Sequence, residues 1–162
     1  MAEKDEKELA KLQRELQRLL VEINQIQGRI EALNAQLELI ESSLGELNRV
    51  EETLKGIQEL EGGEEVLVPV GAGSFVRVSA SDTERVIVGV GAGVAVEKTI
   101  DEALESIDEQ RQELEKSRAE VQNMMNSLLN ELQSKQNKAQ ELARKLEEKR
   151  AELAQKAQAG GR

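Results

Sequence analysis

The chain has 162 residues and a single aromatic one, Phe75, so a compact globule built around an aromatic core is not expected. It has no Cys and no His, which removes disulfides, thiol nucleophiles and the commonest metal ligands. The formal net charge of −10 disfavours binding to nucleic acid or to an anionic membrane surface.

The N-terminal part of the chain carries a regular apolar repeat. From Leu9 to Leu47 the apolar positions alternate at spacings of three and four residues, which is typical of a coiled-coil helix. Gly62 and Gly63 are predicted to end this helix, because glycine tolerates the left-handed conformation that follows a helix. Residues 1–62 are therefore assigned to an N-terminal coiled-coil helix.

The middle of the chain contains a duplicated motif. The frame Val-x-Val-Gly-Ala-Gly-x-x-Val occurs at residues 68–76 and again at 88–96. Alternating valines are typical of strands, and each Gly-Ala-Gly supplies a tight turn. The predicted strands are 66–70, 74–79, 85–90 and 93–97. Residues 63–98 are therefore assigned to a double β-hairpin.

The C-terminal part of the chain carries a second apolar repeat, assigned to residues 99–162. Thr99 and Glu102 form a capping-box pattern at the start of this helix. The repeat then runs on to Leu153, and basic residues interrupt it at four seam positions. Polar seam residues lower stability but fix the register of a coiled coil. The four are Arg111, Arg118, Lys135 and Lys149.

These segments predict a mainly α chain: a long antiparallel two-helix coiled coil with two β-hairpins at its bend. Four strands of about five residues leave edges unpaired, and their valine faces are too small to be buried within one chain. We therefore expect the hairpins to drive oligomerisation, as a closed or stacked β structure.

Enzyme motifs are weak in this sequence. Gly89, Gly91 and Gly93 resemble part of a dinucleotide fingerprint, but Val94 stands where the third glycine is required and the chain continues as a strand. The carboxylates are expected on solvated helix faces, where no pocket perturbs their pKa. We predict no catalytic residue, no cofactor and no metal site.

The leucines near both chain ends have two interpretations. They are either plain seam residues or, where the helix ends fray, apolar contacts for segments of another chain. Leu19, Leu20 and Val21 carry two apolar side chains beyond the seam. The candidate contact residues are Leu9, Leu12, Leu16, Leu19, Leu20, Leu142, Leu146 and Leu153.

The middle segment closely resembles the alpha-type, two-hairpin subunits of the archaeal prefoldin family. The resemblance lies in residues 67–76 and 86–98, extends into residues 101–104, and covers the architecture of the whole chain. It implies an ATP-independent chaperone of two alpha-type and four beta-type subunits, with a β-barrel body. It further implies that the coiled-coil ends hold non-native proteins and deliver them to a group II chaperonin.

The resemblance also implies roles for particular residues. It assigns client contact to the leucines named above. It assigns oligomerisation to the hairpin residues Val68, Val70, Phe75, Val76, Val78, Val86, Val88, Val90 and Val96.

Two other functions remain open from the sequence. A structural coiled coil, such as a filament-forming member of the same family, predicts open-ended assembly of the chain alone. An enzyme with a concealed site predicts a concave pocket lined by convergent polar groups. The charged residues between Glu3 and Glu8 argue against a secretory signal, and no apolar run reaches the roughly 18 residues of a membrane span. We expect a cytoplasmic protein.

Overall fold

The structure, a computed structural model, describes residues 2–161. Met1 and Arg162, the outermost residues of the predicted first and last segments, lie outside the described residues. Along the sequence, one long helix precedes four strands and a second long helix follows them. Their bounds are α1 Ala2–Gln58, β1 Glu65–Gly71, β2 Ser74–Ser79, β3 Arg85–Gly91, β4 Val94–Thr99 and α2 Ile100–Gly160.

The chain divides into two compact units. The terminal unit comprises residues 2–37 of α1 and residues 119–161, most of which belong to α2. The hairpin unit comprises residues 38–118 and holds all four strands.

In the terminal unit, the heptad positions of the two helices meet in an apolar seam. Leu19, Ile23 and Ala139 form a buried cluster. Around this cluster pack the half-buried residues Leu16, Leu132 and Leu142. The predicted three-four spacing therefore corresponds to a packed coiled-coil interface, in which side chains of one helix fit between those of the other.

In the hairpin unit, a second apolar cluster joins the helices to one hairpin. Leu54 of α1 packs with Ile100, Ala103 and Ile107 of α2, and Ile100 is 1% exposed. Valines 86 and 88 of β3 pack against the same cluster. This contact fixes one face of the second hairpin against its own helices.

The predicted end of the first helix is wrong by four residues. α1 ends at Gln58 and not at Gly62. The helix tightens as it ends, because the amide of Leu60 donates to the carbonyl of Ile57 at 3.1 Å, as in a 3₁₀ turn. Gly63, at φ +91°, adopts the left-handed conformation and donates its amide to the carbonyl of Ala80 at 2.7 Å. Gly63 thus connects the segment after α1 to the end of the first hairpin.

Each hairpin is a separate two-stranded antiparallel sheet, β1 with β2 and β3 with β4. Both turn by two residues with positive φ, Ala72-Gly73 and Ala92-Gly93, which matches the type I′ turns that hairpin twist favours. The Gly-Ala-Gly turns were predicted correctly. The bounds predicted for the fourth strand, 93–97, differ from those of β4, which runs from Val94 to Thr99. Gly93 has a positive φ and belongs to the turn.

The second helix begins as its sequence indicates. The side-chain oxygen of Thr99 accepts a hydrogen bond from the amide of Glu102 at 3.2 Å, which satisfies one of the free amides at the helix start. Strand β4 therefore passes directly into α2 without a loop.

One substitution made at two glycines should have opposite effects. At Gly28, inside α1, an added Cβ meets nothing within 4 Å, and Gly28→Ala should stabilise the chain by about 1 kcal/mol through helix propensity. At Gly93, where φ is +74°, Gly93→Ala should destabilise the second hairpin by about 1 kcal/mol, since a Cβ disfavours that conformation. Urea denaturation followed by circular dichroism measures both changes. A stabilising effect of Gly93→Ala would contradict the turn assignment.

Candidate functional site

The first hairpin exposes apolar side chains on both of its faces. Because successive side chains of a strand point to opposite sides, Val66 and Val68 share one face with their cross-strand partners Val78 and Val76. Val68 and Val76 are 42% and 46% exposed. The opposite face carries Leu67, Pro69 and Phe75, of which Leu67 and Phe75 are about 60% exposed. Nothing within the chain covers either face among the described residues.

The second hairpin repeats the motif but differs in its packing. Val86 and Val88 are half-buried against the helices, whereas Ile87, on the other face, is 77% exposed. A salt bridge of 3.6 Å joins Arg85, the first residue of β3, to Glu97 of β4. The duplicated sequence therefore produces one hairpin with two open faces and one with a single open face.

The residues predicted for oligomerisation fall into two groups. Three are half-buried in the single chain, namely Val86, Val88 and Val96. Six are exposed, namely Val68, Val70, Phe75, Val76, Val78 and Val90. Three further exposed apolar residues of the hairpins, Leu67, Ile87 and Val94, were missed. The alternation of the strands could have identified Leu67 and Ile87, because both point away from the valine faces.

The residues predicted for client contact lie mostly within the terminal unit's seam. Leu19 and Leu146 are buried, at 5% and 6% exposure. Leu20 is 48% exposed, and its neighbour Val21, which the prediction left out, is 56% exposed. The half-buried members are Leu9, Leu12, Leu16, Leu142 and Leu153. Contact through Leu19 and Leu146 would therefore require the helices to separate, whereas Leu20 is accessible without any such change.

The basic seam residues of the terminal unit meet carboxylates of the opposite helix. Lys135 lies 2.7 Å from Glu22, and Lys149 lies 3.1 Å from both Asp5 and Glu8. The hydrogen bond from Lys135 lowers the pKa of Glu22, and the same contact raises the pKa of Lys135.

The hairpin unit repeats this arrangement. Arg111 pairs with Glu51 and donates to the side-chain oxygen of Asn48 at 3.2 Å. Arg118 pairs with Glu41 at 3.2 Å. Hydrogen bonds lower the pKa of Glu51, with the larger effect from Lys55 and the smaller one from Arg111. All four basic interruptions of the seam thus have a carboxylate partner on α1, which gives the predicted role in register a physical basis.

The grooves along the helices are open and shallow. One groove of the hairpin unit is lined by Val50, Val86 and Ile107 among others, and its lining is mainly apolar. Within residues 2–161, no cluster of three or more His, Cys, Asp or Glu residues is placed to hold a metal ion. No helix in the same range is both long and apolar enough to cross a membrane.

Comparison with known proteins identifies similar chains. A family model described as Prefoldin subunit matches residues 26–145. The prefoldin subunit alpha of Methanopyrus kandleri is 74% identical over 106 residues, which cover 65% of this chain and 66% of that one. The prefoldin subunit alpha of Pyrococcus horikoshii is 36% identical over 97 residues, covering 59% and 66%. The matched region thus spans slightly less than two thirds of these relatives.

Solved structures show the same fold. A filamentous PFD from Methanocaldococcus jannaschii matches with a TM-score of 0.62 at 26% identity, over 69% of this chain and 93% of that one. The prefoldin beta subunit from Thermococcus strain KS-1 matches with a TM-score of 0.52 at 17% identity, over 78% and 90%. The second likeness concerns the fold alone.

Proposed function

The chain belongs to the prefoldin family, and on that premise we propose that it is an alpha-type subunit of a chaperone that holds non-native proteins without ATP. The observation that carries this proposal is the pair of open apolar faces on the first hairpin. Such faces favour association, because burying them removes apolar surface from water.

The proposed assembly combines two alpha-type subunits with four beta-type subunits through the hairpins. Val68 and Val76 would contact a partner hairpin directly, since they lie side by side on an open face. A two-stranded sheet has two free edges, and pairing with strands of other subunits would close them into a barrel. Residues 63–98 act as the assembly module in this proposal, between coiled-coil segments 1–62 and 99–162.

Client proteins would bind in the terminal unit. Its leucines are held in a seam only two helices thick, so opening of the helix ends exposes apolar surface for non-native segments. The charge distribution supports this location. Residues 38–118 contain 19 acidic and 8 basic side chains, whereas the rest of the chain contains 13 and 14. Clients of either charge therefore meet no strong net field near the seam leucines.

Release would follow from weak binding at several sites. Contacts from several subunits add through effective concentration, so each contact can be weak enough to hand the client on to a group II chaperonin. The proposal includes no catalytic residue, no cofactor, no nucleic acid and no membrane partner. It places the complex in the cytoplasm.

Suppression of aggregation tests the proposed function. A denatured test protein is diluted into the complex of this chain with a beta-type subunit, and light scattering follows its aggregation. We expect full suppression at stoichiometric excess. A shortened chain without residues 1–20 and 140–162 should still assemble but should not protect. Undiminished aggregation with the intact complex would refute holding activity.

A filament-forming role is the second candidate. It is favoured by the likeness to the filamentous PFD structure, which covers 93% of that chain. Light scattering of this chain alone separates the two candidates. Open-ended growth with concentration supports a filament, and a closed complex formed only with a beta-type subunit supports the chaperone.

A further inference from the structure

A cluster of four charged side chains joins the two chain ends in the terminal unit. Lys149 lies 3.1 Å from Asp5 and 3.1 Å from Glu8, and Lys156 lies 3.4 Å from Asp5. The contact between Asp5 and Lys149 is partly shielded, since these side chains are 17% and 21% exposed, whereas Glu8 and Lys156 are exposed. Partial burial strengthens such contacts relative to ion pairs on an open surface.

The cluster lies where the apolar seam becomes less buried. Among residues 2–161, the first buried apolar residue of α1 is Leu19, and the last one of α2 is Leu146. Beyond these positions the helices share only half-buried side chains such as Leu9 and Leu153. The ionic contacts are therefore a principal link between helix ends that would otherwise fray.

The cluster also lies beside residues predicted to contact clients. Asp5 and Lys156 line the same open groove as Leu153. On the other side, Glu8 immediately precedes Leu9 along α1. Separation of the charged groups would therefore uncover these leucines first.

We propose that Lys149 is a positioning residue, which holds the helix ends together and so limits the access of non-native chains to the seam leucines. The proposal rests on the proposed function. Lys149 contacts two carboxylates of the opposite helix, whereas Lys156 contacts one. Lys149 also occupies a seam position, so its side chain lies between the helices.

A charge-reversal variant with a matched control tests the role of Lys149. Lys149→Glu places like charges together and should speed hydrogen exchange of the amides at 6–12 and 146–156 by roughly tenfold. Lys145→Glu makes the same charge change on the same helix, but Lys145 pairs within α2 with Glu141 and should leave this exchange unchanged. Lys149→Arg keeps the charge and should behave as the unaltered chain.

Client retention is measured in the same complexes. Lys149→Glu should retain several-fold more of a denatured test protein than Lys145→Glu. Equal exchange rates in Lys149→Glu and Lys145→Glu would overturn the proposal. Faster exchange with no gain in retention would overturn the link to client access. A failure of the unaltered complex to retain any client would count against the proposed function. Hydrogen exchange would still show whether Lys149 holds the helix ends together.

Discussion

Replacing Val76 with Asp is expected to abolish assembly through the first hairpin while leaving the helices folded. Val76 is 46% exposed in the single chain and faces Val68 across the sheet. Because both side chains lie on an open apolar face, the substitution costs the fold little. In an assembled barrel the carboxylate would be buried without a partner, at several kcal/mol, which weakens association at least about 100-fold. Light scattering coupled to size-exclusion chromatography measures the mass of the complex with a beta-type subunit.

A control separates a loss of the interface from added charge. Ser81→Asp adds the same charge in the connection between the hairpins, where Ser81 is exposed. It should assemble normally. Circular dichroism should show equal helix content in both variants. Normal assembly of Val76→Asp would mean that this valine face is not the contact surface, and the face with Leu67 and Phe75 would become the alternative.

Local features of this fold could be predicted from the sequence. The heptad spacing identified the helices, and the Gly-Ala-Gly tripeptides identified the turns, because each depends on residues a few positions apart. The capping pattern at Thr99 placed the start of α2 to within one residue. The end of α1 was misplaced at the glycines, because glycine shows where a helix can end and not where it must end. In the structure the helix ends four residues earlier, at Gln58.

Features that depend on distant residues could not be predicted. Val68 and Val88 occupy the same position in the repeated frame, yet only Val88 packs against the helices. That difference arises because β4 runs directly into α2, which brings the second hairpin onto Ile100 and Ala103. The heptad pattern identified Lys135 as an interruption of the seam, but it did not identify its partner. Glu22 lies 113 residues away in the sequence and meets Lys135 only when the two helices pair.

Replacing Ile100 with Ala should have the largest effect on stability. Ile100 is 1% exposed, opens α2 and packs with Leu54, Ala103 and Ile107. Truncating a buried isoleucine removes apolar contacts and leaves a cavity, so we expect a loss of about 3 kcal/mol in the free energy of unfolding. Urea denaturation of the full chain, followed by circular dichroism, measures this loss.

The same substitution on the open face of the second hairpin provides the comparison. Ile87→Ala removes the same atoms from a side chain that is 77% exposed, and should change the stability of the single chain by less than about 0.5 kcal/mol. Ile100→Ala should also speed hydrogen exchange at the amides of Val86 and Val88, because these residues pack on the cluster that Ile100 completes. Equal losses from the two substitutions would mean that the second hairpin is not anchored to the helices. A large loss at Ile100 alone, with faster exchange in β3, would show that the helices position the second hairpin in the single chain.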